Sequence, residues 1–317
     1  MTVTELINNN KGKTAFSFEI LPPLKGNSIE KVYNIVDKLI EFDPKYINIT
    51  THHSEWIDKE MPDGTIKRIN IRKRPGSVAI AASIQNKYGV KAIPHMICKG
   101  FTREETEYAM IDLNFLGVTN LILLRGDEKK LLPEQIINNN EHATDLQKQV
   151  NDFNNGIALN GETFERFATP FSYGMACYPE LHEESPNMES ELRYMKMKAD
   201  AGAEYFVTQM FFDNDKYFDF VDICRKAGIT QPIIPGVKPI VLANQLNVLP
   251  KIFHLTMPEE LQKELEKCAG DDQKAKEVGI EWGIKQCKDL VARGVPSLHF
   301  YSLMATESVR RIAKEIF

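Results

Sequence analysis

The chain has 317 residues, of which 43% are hydrophobic and 26% are charged, and this composition is typical of a globular protein with a large core. The net charge of −5 gives no basic footprint for nucleic acid, and no apolar run reaches membrane-spanning length. Met1–Lys13 is too polar for a signal peptide, and the five cysteines include no Cys-x-x-Cys pair. We therefore expect a cytoplasmic protein with reduced thiols that binds neither nucleic acid nor membranes.

Short apolar segments alternate with amphipathic ones along the chain. Leu121–Arg125 is typical, because its unbroken apolar run is followed by Gly126 and Asp127, as in a strand buried on both faces. Thr102 and Glu105 form a capping box that predicts a helix ending near Gly117. The predicted strands are Phe16–Leu21, Tyr46–Thr50, Lys91–Cys98, Leu121–Arg125, Ser172–Tyr178, Tyr205–Phe212, Pro232–Val237 and Leu298–Leu303.

Three stretches depart from this alternation. Thr51–Asn70 is predicted to be a polar loop, and Asn154–Thr169 a hairpin insertion. Pro258–Arg293 contains two further helices broken at Gly270. Eight strands alternating with helices predict an α/β fold of the (β/α)8 TIM-barrel class, with residues 1–317 forming one domain and extra helices before strand eight. No Gly-x-Gly is present, so the Rossmann fingerprint is excluded.

Polar residues follow the predicted strands, and in this fold class the chemistry lies at the carboxyl ends of the strands. No Ser-His-Asp order or Cys-His pair stands out, and the carboxylates and histidines have no metal-binding spacing, so no metal site is predicted. The strand-end residues are Glu19, Thr50, His95, Arg125 with Asp127, Tyr178, Gln209, Lys238, and His299 with Tyr301.

These residues also have structural interpretations. Glu19 lies in an apolar strand, so it is either ion-paired with Arg125 or a proton-donating acid with a raised pKa. Asp127 after a glycine could cap a loop, whereas the amide of Gln209 must find partners in its apolar strand. His95 is more typical of a satisfied core histidine.

Six segments in a fixed order carry a resemblance to a known family. They are Phe-Ser-Phe-Glu with Pro22-Pro23, Leu-Leu-Arg-Gly-Asp at 123–127, Tyr-Pro-Glu-Leu-His at 178–182, Asp-Ala-Gly-Ala at 200–203 leading to Thr-Gln-Met-Phe-Phe-Asp at 208–213, Ile-Ile-Pro-Gly-Val at 233–237, and His-Phe-Tyr-Ser-Leu at 299–303. Over nearly its whole length the chain resembles the methylenetetrahydrofolate reductases, flavin enzymes of one-carbon metabolism that have a (β/α)8 barrel.

The resemblance implies an oxidoreductase with non-covalent FAD and a ping-pong hydride relay. A reduced nicotinamide, NADH in the short bacterial form that the chain resembles, reduces the flavin and leaves. The flavin then reduces 5,10-methylenetetrahydrofolate to 5-methyltetrahydrofolate, which supplies methionine biosynthesis. Members of this family assemble as homo-oligomers, so a homo-oligomer is expected here.

The resemblance also implies roles for individual residues. Glu19 matches the general acid that protonates the folate nitrogen, and Asp127 matches an aspartate beside the flavin. Gln209 and Gln245 match folate contacts, as Glu19 does. The implied flavin contacts are Thr50, Thr51, His95, Arg125, Gly126, Asp127, His142, Ala143, Tyr178, His182, Glu191 and Lys198, of which Lys198 and Arg125 suit the phosphates.

The sequence departs from the family pattern at several of these contacts. Thr51-His52-His53 stands where a tyrosine and glycines are common, and His142 replaces a tyrosine. Glu191 replaces an aspartate, and Ala305 stands where an arginine often binds substrate. Tyr194 and Met197 stand where polar or basic residues contact FAD.

Two other functions fit parts of the pattern. A lyase or aldolase on the same barrel would need a Schiff-base lysine at a strand end, and Lys238 is the candidate. A non-catalytic folate-binding barrel would use Gln209 but would give no reason for Glu19 together with Asp127.

Overall fold

The computed structural model describes residues 1–126, 137–182, 184–303 and 305–317. These residues form two compact units, each built from separate stretches of chain. The first unit contains Met1–Ile20, Asn34–Ile47 and Gly174–Phe317, and the second contains Leu21–Tyr33 and Asn48–Tyr173. That residues 1–317 act as one domain stays a prediction.

Parallel strands alternate with helices in both units. The strands are β1 (Ala15–Ile20), β2 (Tyr46–Ile49), β3 (Glu55–Glu60), β4 (Ile66–Ile71), β5 (Lys91–Ile97), β6 (Asn120–Leu124), β7 (Ser172–Cys177), β8 (Tyr205–Thr208), β9 (Ile233–Ile234), β10 (Gly236–Val237) and β11 (Ser297–Phe300). The helices are α1 (Val3–Asn8), α2 (Glu30–Leu39), α3 (Ser77–Tyr88), α4 (Arg103–Phe115), α5 (Ala143–Asn154), α6 (Met188–Asp200), α7 (Asn214–Lys226), α8 (Gln245–Phe253), α9 (Glu259–Glu266), α10 (Asp272–Ala292) and α11 (Thr306–Lys314).

The first unit contains two runs of neighbouring strands, β10-β11-β1-β2 and β7-β8-β9. Only part of β2, up to Ile47, and part of β7, from Gly174, belongs to this unit. β1 and β11 pair in parallel with Ser17 opposite His299. All six residues of β1 are buried, as expected for a strand covered on both faces. Phe16 packs against the rings of Phe300 and Phe317, with centroids 5.5 and 5.2 Å away.

In the second unit β5 pairs in parallel with β6, with His95 opposite Ile122. α3 and α4 follow β4 and β5 in the chain, and α4 begins at the capping box that Thr102 and Glu105 predict. Strand–helix alternation with parallel neighbours confirms the predicted α/β (β/α)8 class.

Two strand predictions need correction. The seventh strand, predicted over Pro232–Val237, is split at Pro235, because proline has no N–H to donate to a ladder. β9 pairs with β8, whereas β10 pairs with β11. The sixth strand was expected to continue to Phe212 but ends at Thr208, so the apolar residues after it pack without belonging to a ladder.

The loop predicted over Thr51–Asn70 is in fact largely an antiparallel hairpin of β3 and β4. Its turn is encoded by Pro62-Asp63-Gly64. Gly64 has φ +77°, which disfavours other residues, and the Asp63 carboxylate accepts the Thr65 N–H at 3.0 Å. The prediction failed because the polar side chains of both strands are exposed and hide the period-two pattern.

The insertion is the hairpin that the sequence predicts, although α5 extends to its first residue, Asn154. Ile157 and Thr163 form an isolated antiparallel bridge. After it, Phe164 and Phe167 pack on Phe153, with centroids 5.0 and 5.2 Å away. These rings therefore pack the insertion against α5.

The two helices predicted over Pro258–Arg293 are α9 and α10, and Gly270 between them has φ +84°, which confirms the break there. α1 was not predicted, although Thr2 and Glu5 form a capping box at its start.

All five cysteines are free and buried. In the described part of the chain, none of the helices combines the length and the hydropathy that crossing a bilayer would require.

Candidate active site

Glu19 is a carboxylate on β1, a strand whose other residues are apolar or small. Its side chain is only 8% exposed, and its Oε2 lies 4.0 Å from Nε2 of the fully buried His299 on β11. The backbone carbonyl of Glu19 accepts a hydrogen bond from Ser302 Oγ, which ties the strand to the chain after β11. The carboxyl group is therefore held in a dry environment next to an imidazole.

Ser17 precedes Glu19 by two residues, so both side chains lie on the same face of β1. The Ser17 hydroxyl donates to the Leu298 carbonyl at 3.2 Å and lies 3.0 Å from Nδ1 of His299. The other ring nitrogen, Nε2, lies towards Glu19, and among the described residues it has no partner within hydrogen-bonding distance.

Tyr301 closes the other side of this group. Its ring stands edge-on to His299 with centroids 5.4 Å apart, and its hydroxyl donates to the Thr208 carbonyl at 2.6 Å. Burial raises the pKa of Tyr301, and the Glu19 charge raises it further. A Cβ on Gly236 would lie 2.6 Å from the Tyr301 ring, so only glycine permits this approach.

Lys238 follows β10 in the same unit. Burial lowers the pKa of its ammonium group, and the Glu19 charge opposes that shift. The first unit thus brings Glu19, His299, Tyr301 and Lys238 into one cluster, which joins four of the predicted strand-end residues.

The side-chain amides of Gln209 and Gln245, the two predicted folate contacts, make different hydrogen bonds. Gln209 is half-buried after β8, its Oε1 accepts the Met210 N–H at 2.9 Å, and its Nε2 makes no hydrogen bond within the described residues. Gln245 Oε1 instead accepts the N–H groups of Val241 and Leu242 at 2.7 and 3.1 Å. Gln245 therefore holds the loop before α8, a structural role that its sequence position did not indicate.

The loop after β7 places Tyr178 and His182 together, with ring centroids 4.6 Å apart in an edge-to-face contact. Leu181 between them has φ +75°, an unfavourable conformation for a leucine. Glu180 fixes this loop because its carboxylate accepts the Thr256 N–H at 2.9 Å.

Glu191 and Lys198 lie two turns apart on α6, so they share one face of the helix. Glu191 is buried and accepts the Ser185 hydroxyl at 2.6 Å. Lys198 Nζ donates to the Ala176 carbonyl in β7 at 3.3 Å. Burial lowers the pKa of Lys198, and the Glu191 charge opposes that shift.

In the second unit, Thr50 and Thr51 follow β2. The Thr51 hydroxyl lies 2.7 Å from Ser77 Oγ and 2.5 Å from the His95 carbonyl, so it joins the β2 loop to α3 and β5. The Thr50 hydroxyl is buried, and among the described residues it has no hydrogen-bond partner. Of the two, Thr50 is therefore the one with a hydroxyl available to a ligand.

Arg125 and Gly126 follow β6, and Gly126 has φ +82°. Burial raises the pKa of Cys98 to about 12. The Asp145 charge raises that pKa and the Arg125 charge lowers it, so both groups act on the same thiol. Asp145 lies in the first turn of α5, where its carboxylate accepts the His142 N–H at 2.8 Å. His142 and Ala143 lie at that end of α5, in the same unit as Arg125.

Asp127 lies outside the residues that the structure describes, so its predicted role stays a prediction. Tyr194 and Met197, which replace polar flavin contacts, are 41% and 51% exposed on α6. Ser17 was not among the predicted site residues. The signal was present, because polar residues two apart in an apolar strand share a face.

The family model for methylenetetrahydrofolate reductase matches residues 3–316 of the chain. The chain belongs to the methylenetetrahydrofolate reductase family. The predicted resemblance is thereby confirmed at the level of the family.

Individual relatives agree with this assignment. A probable methylenetetrahydrofolate reductase (NADPH) from Caenorhabditis elegans is 30% identical over 95% of this chain and 42% of its own length. Methylenetetrahydrofolate reductase (NADH) 1 from Arabidopsis thaliana is 29% identical over 94% of this chain and 47% of its own length. The chain thus spans about half the length of these two relatives. It covers 88% of the Escherichia coli 5,10-methylenetetrahydrofolate reductase, at 28% identity.

Among solved structures, an uncharacterized protein from Clostridium thermocellum, which binds two copies of 5-methyl-5,6,7,8-tetrahydrofolic acid, is similar with a TM-score of 0.55. The alignment covers 99% of this chain and 98% of that one at 17% identity, and it supports the fold assignment.

Proposed function

We propose that the protein is a flavin-dependent reductase that converts 5,10-methylenetetrahydrofolate to 5-methyltetrahydrofolate with NADH, and that Glu19 is its general acid. Family membership supports the reaction. The observation that carries the assignment of Glu19 is its buried carboxyl group, which lies 4.0 Å from the imidazole of His299.

The role of Glu19 follows from its surroundings. Its side chain is 8% exposed, and the exclusion of water from a site limits the loss of protons to solvent. The distance to His299 exceeds a hydrogen bond, but such contacts in ligand-free sites often shorten when substrate binds. Glu19 can therefore donate a proton to a folate nitrogen that approaches it, and His299 orients the carboxyl group.

The residues present fit FAD by their chemistry. In the first unit Lys198 contacts the carboxyl end of β7, and in the second unit Arg125 follows β6; each is a cation suited to phosphate. The Thr50 hydroxyl is buried without a partner among the described residues, as expected of a group that a ligand satisfies. When bound, the flavin would pass a hydride from the nicotinamide to the methylene carbon of the folate.

The other residues bind and orient the folate. Glu19 protonates the folate nitrogen so that the five-membered ring opens to an iminium, and Gln209 donates from Nε2 to the folate. The Glu19 charge left after proton transfer faces Lys238, which stabilises it.

The test separates the two half-reactions in anaerobic stopped-flow spectroscopy. We expect the parent protein to be yellow, to bleach with NADH and to recover its colour with methylenetetrahydrofolate. Glu19→Gln should bleach normally but recover about 10²–10⁴-fold more slowly, because only the second half-reaction needs a proton donor.

Glu30→Gln, at an exposed position in the first turn of α2, is the matched control and should leave both steps unchanged. Equal losses in both half-reactions of Glu19→Gln would show that Glu19 is structural. A yellow protein that ignores the folate would exclude the folate assignment and retain the flavin assignment.

Lys238 supports a second candidate function, a lyase acting through a Schiff base. The lowered pKa of its ammonium group increases the fraction of neutral amine, which is the nucleophile. Borohydride trapping of Lys238 with a carbonyl substrate, in a colourless protein that takes up no FAD, would favour this function.

A further inference from the structure

Four buried hydroxyl groups lie in the interior of the first unit. They belong to Ser17 of β1, Tyr46 of β2, Tyr205 of β8 and Ser297 of β11, and all four residues are fully buried. The two serines each donate to a backbone carbonyl, at 3.2 and 3.1 Å. The two tyrosine hydroxyls have no hydrogen-bond partner among the described residues. We call these four residues the hydroxyl cluster.

Electrostatic effects show that the members of the hydroxyl cluster are neighbours. Burial raises the pKa of Tyr46 to about 12, and the hydroxyls of Ser17 and Ser297 partly offset that rise, although neither is placed for a direct hydrogen bond. Burial also raises the pKa of Tyr205, and the Tyr46 charge raises it further. Because such effects weaken with distance, the Tyr46 hydroxyl lies near the other three.

The position of the Tyr205 hydroxyl is fixed by its packing on β7. Gly174 lies opposite Tyr205 in the parallel pairing of β7 with β8. A Cβ on Gly174 would lie 2.3 Å from Cζ of the tyrosine ring, so the ring occupies the space that a side chain there would fill. A phenol oxygen lies on the axis about which its ring turns, and rotation of the ring therefore cannot bring this hydroxyl to a partner.

An unpaired hydroxyl is unfavourable in a dry interior, and buried polar groups in native proteins are nearly always paired with protein or with ordered water. A buried water typically makes about three hydrogen bonds to groups of this kind. We propose that the hydroxyl cluster binds a water molecule that bridges Tyr46 and Tyr205. This water holds Ser17 and, through it, His299 in position.

Ser17 connects the hydroxyl cluster to the candidate active site. Its hydroxyl lies 3.0 Å from Nδ1 of His299, and Nε2 of the same ring lies 4.0 Å from Glu19. The Tyr46 ring is parallel to the His299 ring, at an angle of 7° with centroids 6.2 Å apart. The water site stands without any reaction, whereas the positioning of His299 rests on the proposed function.

The first test is equilibrium unfolding in urea. Removing an unpaired hydroxyl from a dry interior would stabilise the protein, whereas removing a hydroxyl that a water pairs destabilises it. We expect Tyr46→Phe and Tyr205→Phe each to decrease the equilibrium constant for folding about fivefold. The double variant should lose less than the product of the two losses, because both substitutions remove the same water.

Tyr217→Phe is the matched control. Its hydroxyl has a protein partner, since it donates directly to the Ile233 carbonyl at 2.7 Å. Combined with Tyr205→Phe, its loss should simply multiply. A raised urea midpoint in either single variant, or independent losses in Tyr46→Phe and Tyr205→Phe, would overturn the water site.

The second test is a crystal structure of the full chain with ordered waters resolved. We expect a water within hydrogen-bond distance of both phenol oxygens in the parent protein, and its absence would overturn the site.

The third test is anaerobic stopped-flow spectroscopy of Tyr205→Phe. Tyr205 forms no hydrogen bond with His299 or Glu19 in the part of the chain that the structure describes, so the bridging water is its connection to them. Recovery of flavin colour with the folate should slow at least about threefold, with bleaching by NADH unchanged, and Tyr217→Phe should change neither. A recovery rate equal to that of the parent would overturn the positioning of His299. A protein that takes up no flavin would contradict the proposed function, and the first two tests would still decide the water site.

Discussion

Replacing Tyr301 by phenylalanine removes one hydroxyl and keeps the ring. The hydroxyl donates to the Thr208 carbonyl at 2.6 Å, and its loss leaves a buried acceptor, which costs about 1–3 kcal/mol of folding free energy. The ring also stands against His299, beside Glu19. If about 1.4 kcal/mol of that loss appears in the transition state, the folate half-reaction slows about tenfold.

Tyr217→Phe is the matched control, because that hydroxyl donates to the Ile233 carbonyl at 2.7 Å in the same unit but has no contact with His299 or Glu19. Urea denaturation should show similar losses for both variants, with unchanged slopes. Stopped-flow recovery of flavin colour should slow only for Tyr301→Phe. Equal slowing in both variants, or none in either, would refute the positioning role of Tyr301.

Three further changes have defined outcomes. His299→Phe should slow the recovery of flavin colour with the folate about 10–100-fold and leave bleaching by NADH unchanged. A recovery rate equal to that of the parent protein would contradict the role of Nε2. Gly236→Ala should lower the free energy of unfolding by about 1–3 kcal/mol, because its Cβ would lie 2.5 Å from the Thr208 carbonyl. An unchanged urea midpoint would refute this. Burial raises the pKa of Cys98 and Tyr46 to about 12, so their protonated side chains contribute to stability below about pH 9. This contribution is lost as the pH rises, and a constant urea midpoint from pH 8 to 11 would contradict the loss.

The sequence predicted the fold class because buried parallel strands have unbroken apolar runs, as in Leu121–Arg125. It failed where tertiary contacts decide the structure. Pro235 divides a strand between two neighbours, a choice of partners that no local pattern encodes. The β3–β4 hairpin exposes most of its residues, so its strands lack the burial pattern on which the prediction relies.

The site was predictable only in part, for a related reason. Glu19 and His299 stood out as polar residues in apolar strands, and parallel pairing of β1 with β11 brings them together. Ser17 has the same signal but is small and was overlooked. Gln245 shows the opposite error, because its amide caps a loop that the sequence does not reveal.

The burial of the five cysteines has a practical consequence. A thiol reagent can reach them only when the surrounding structure opens, so labelling rates measure native-state opening without any mutation. Cys98 lies in the second unit, and Cys177, Cys224, Cys268 and Cys287 lie in the first. Labelling of Cys98 and Cys177 at one rate in increasing urea would show that the two units open together as one cooperative domain, and two separate rates would show that they open independently.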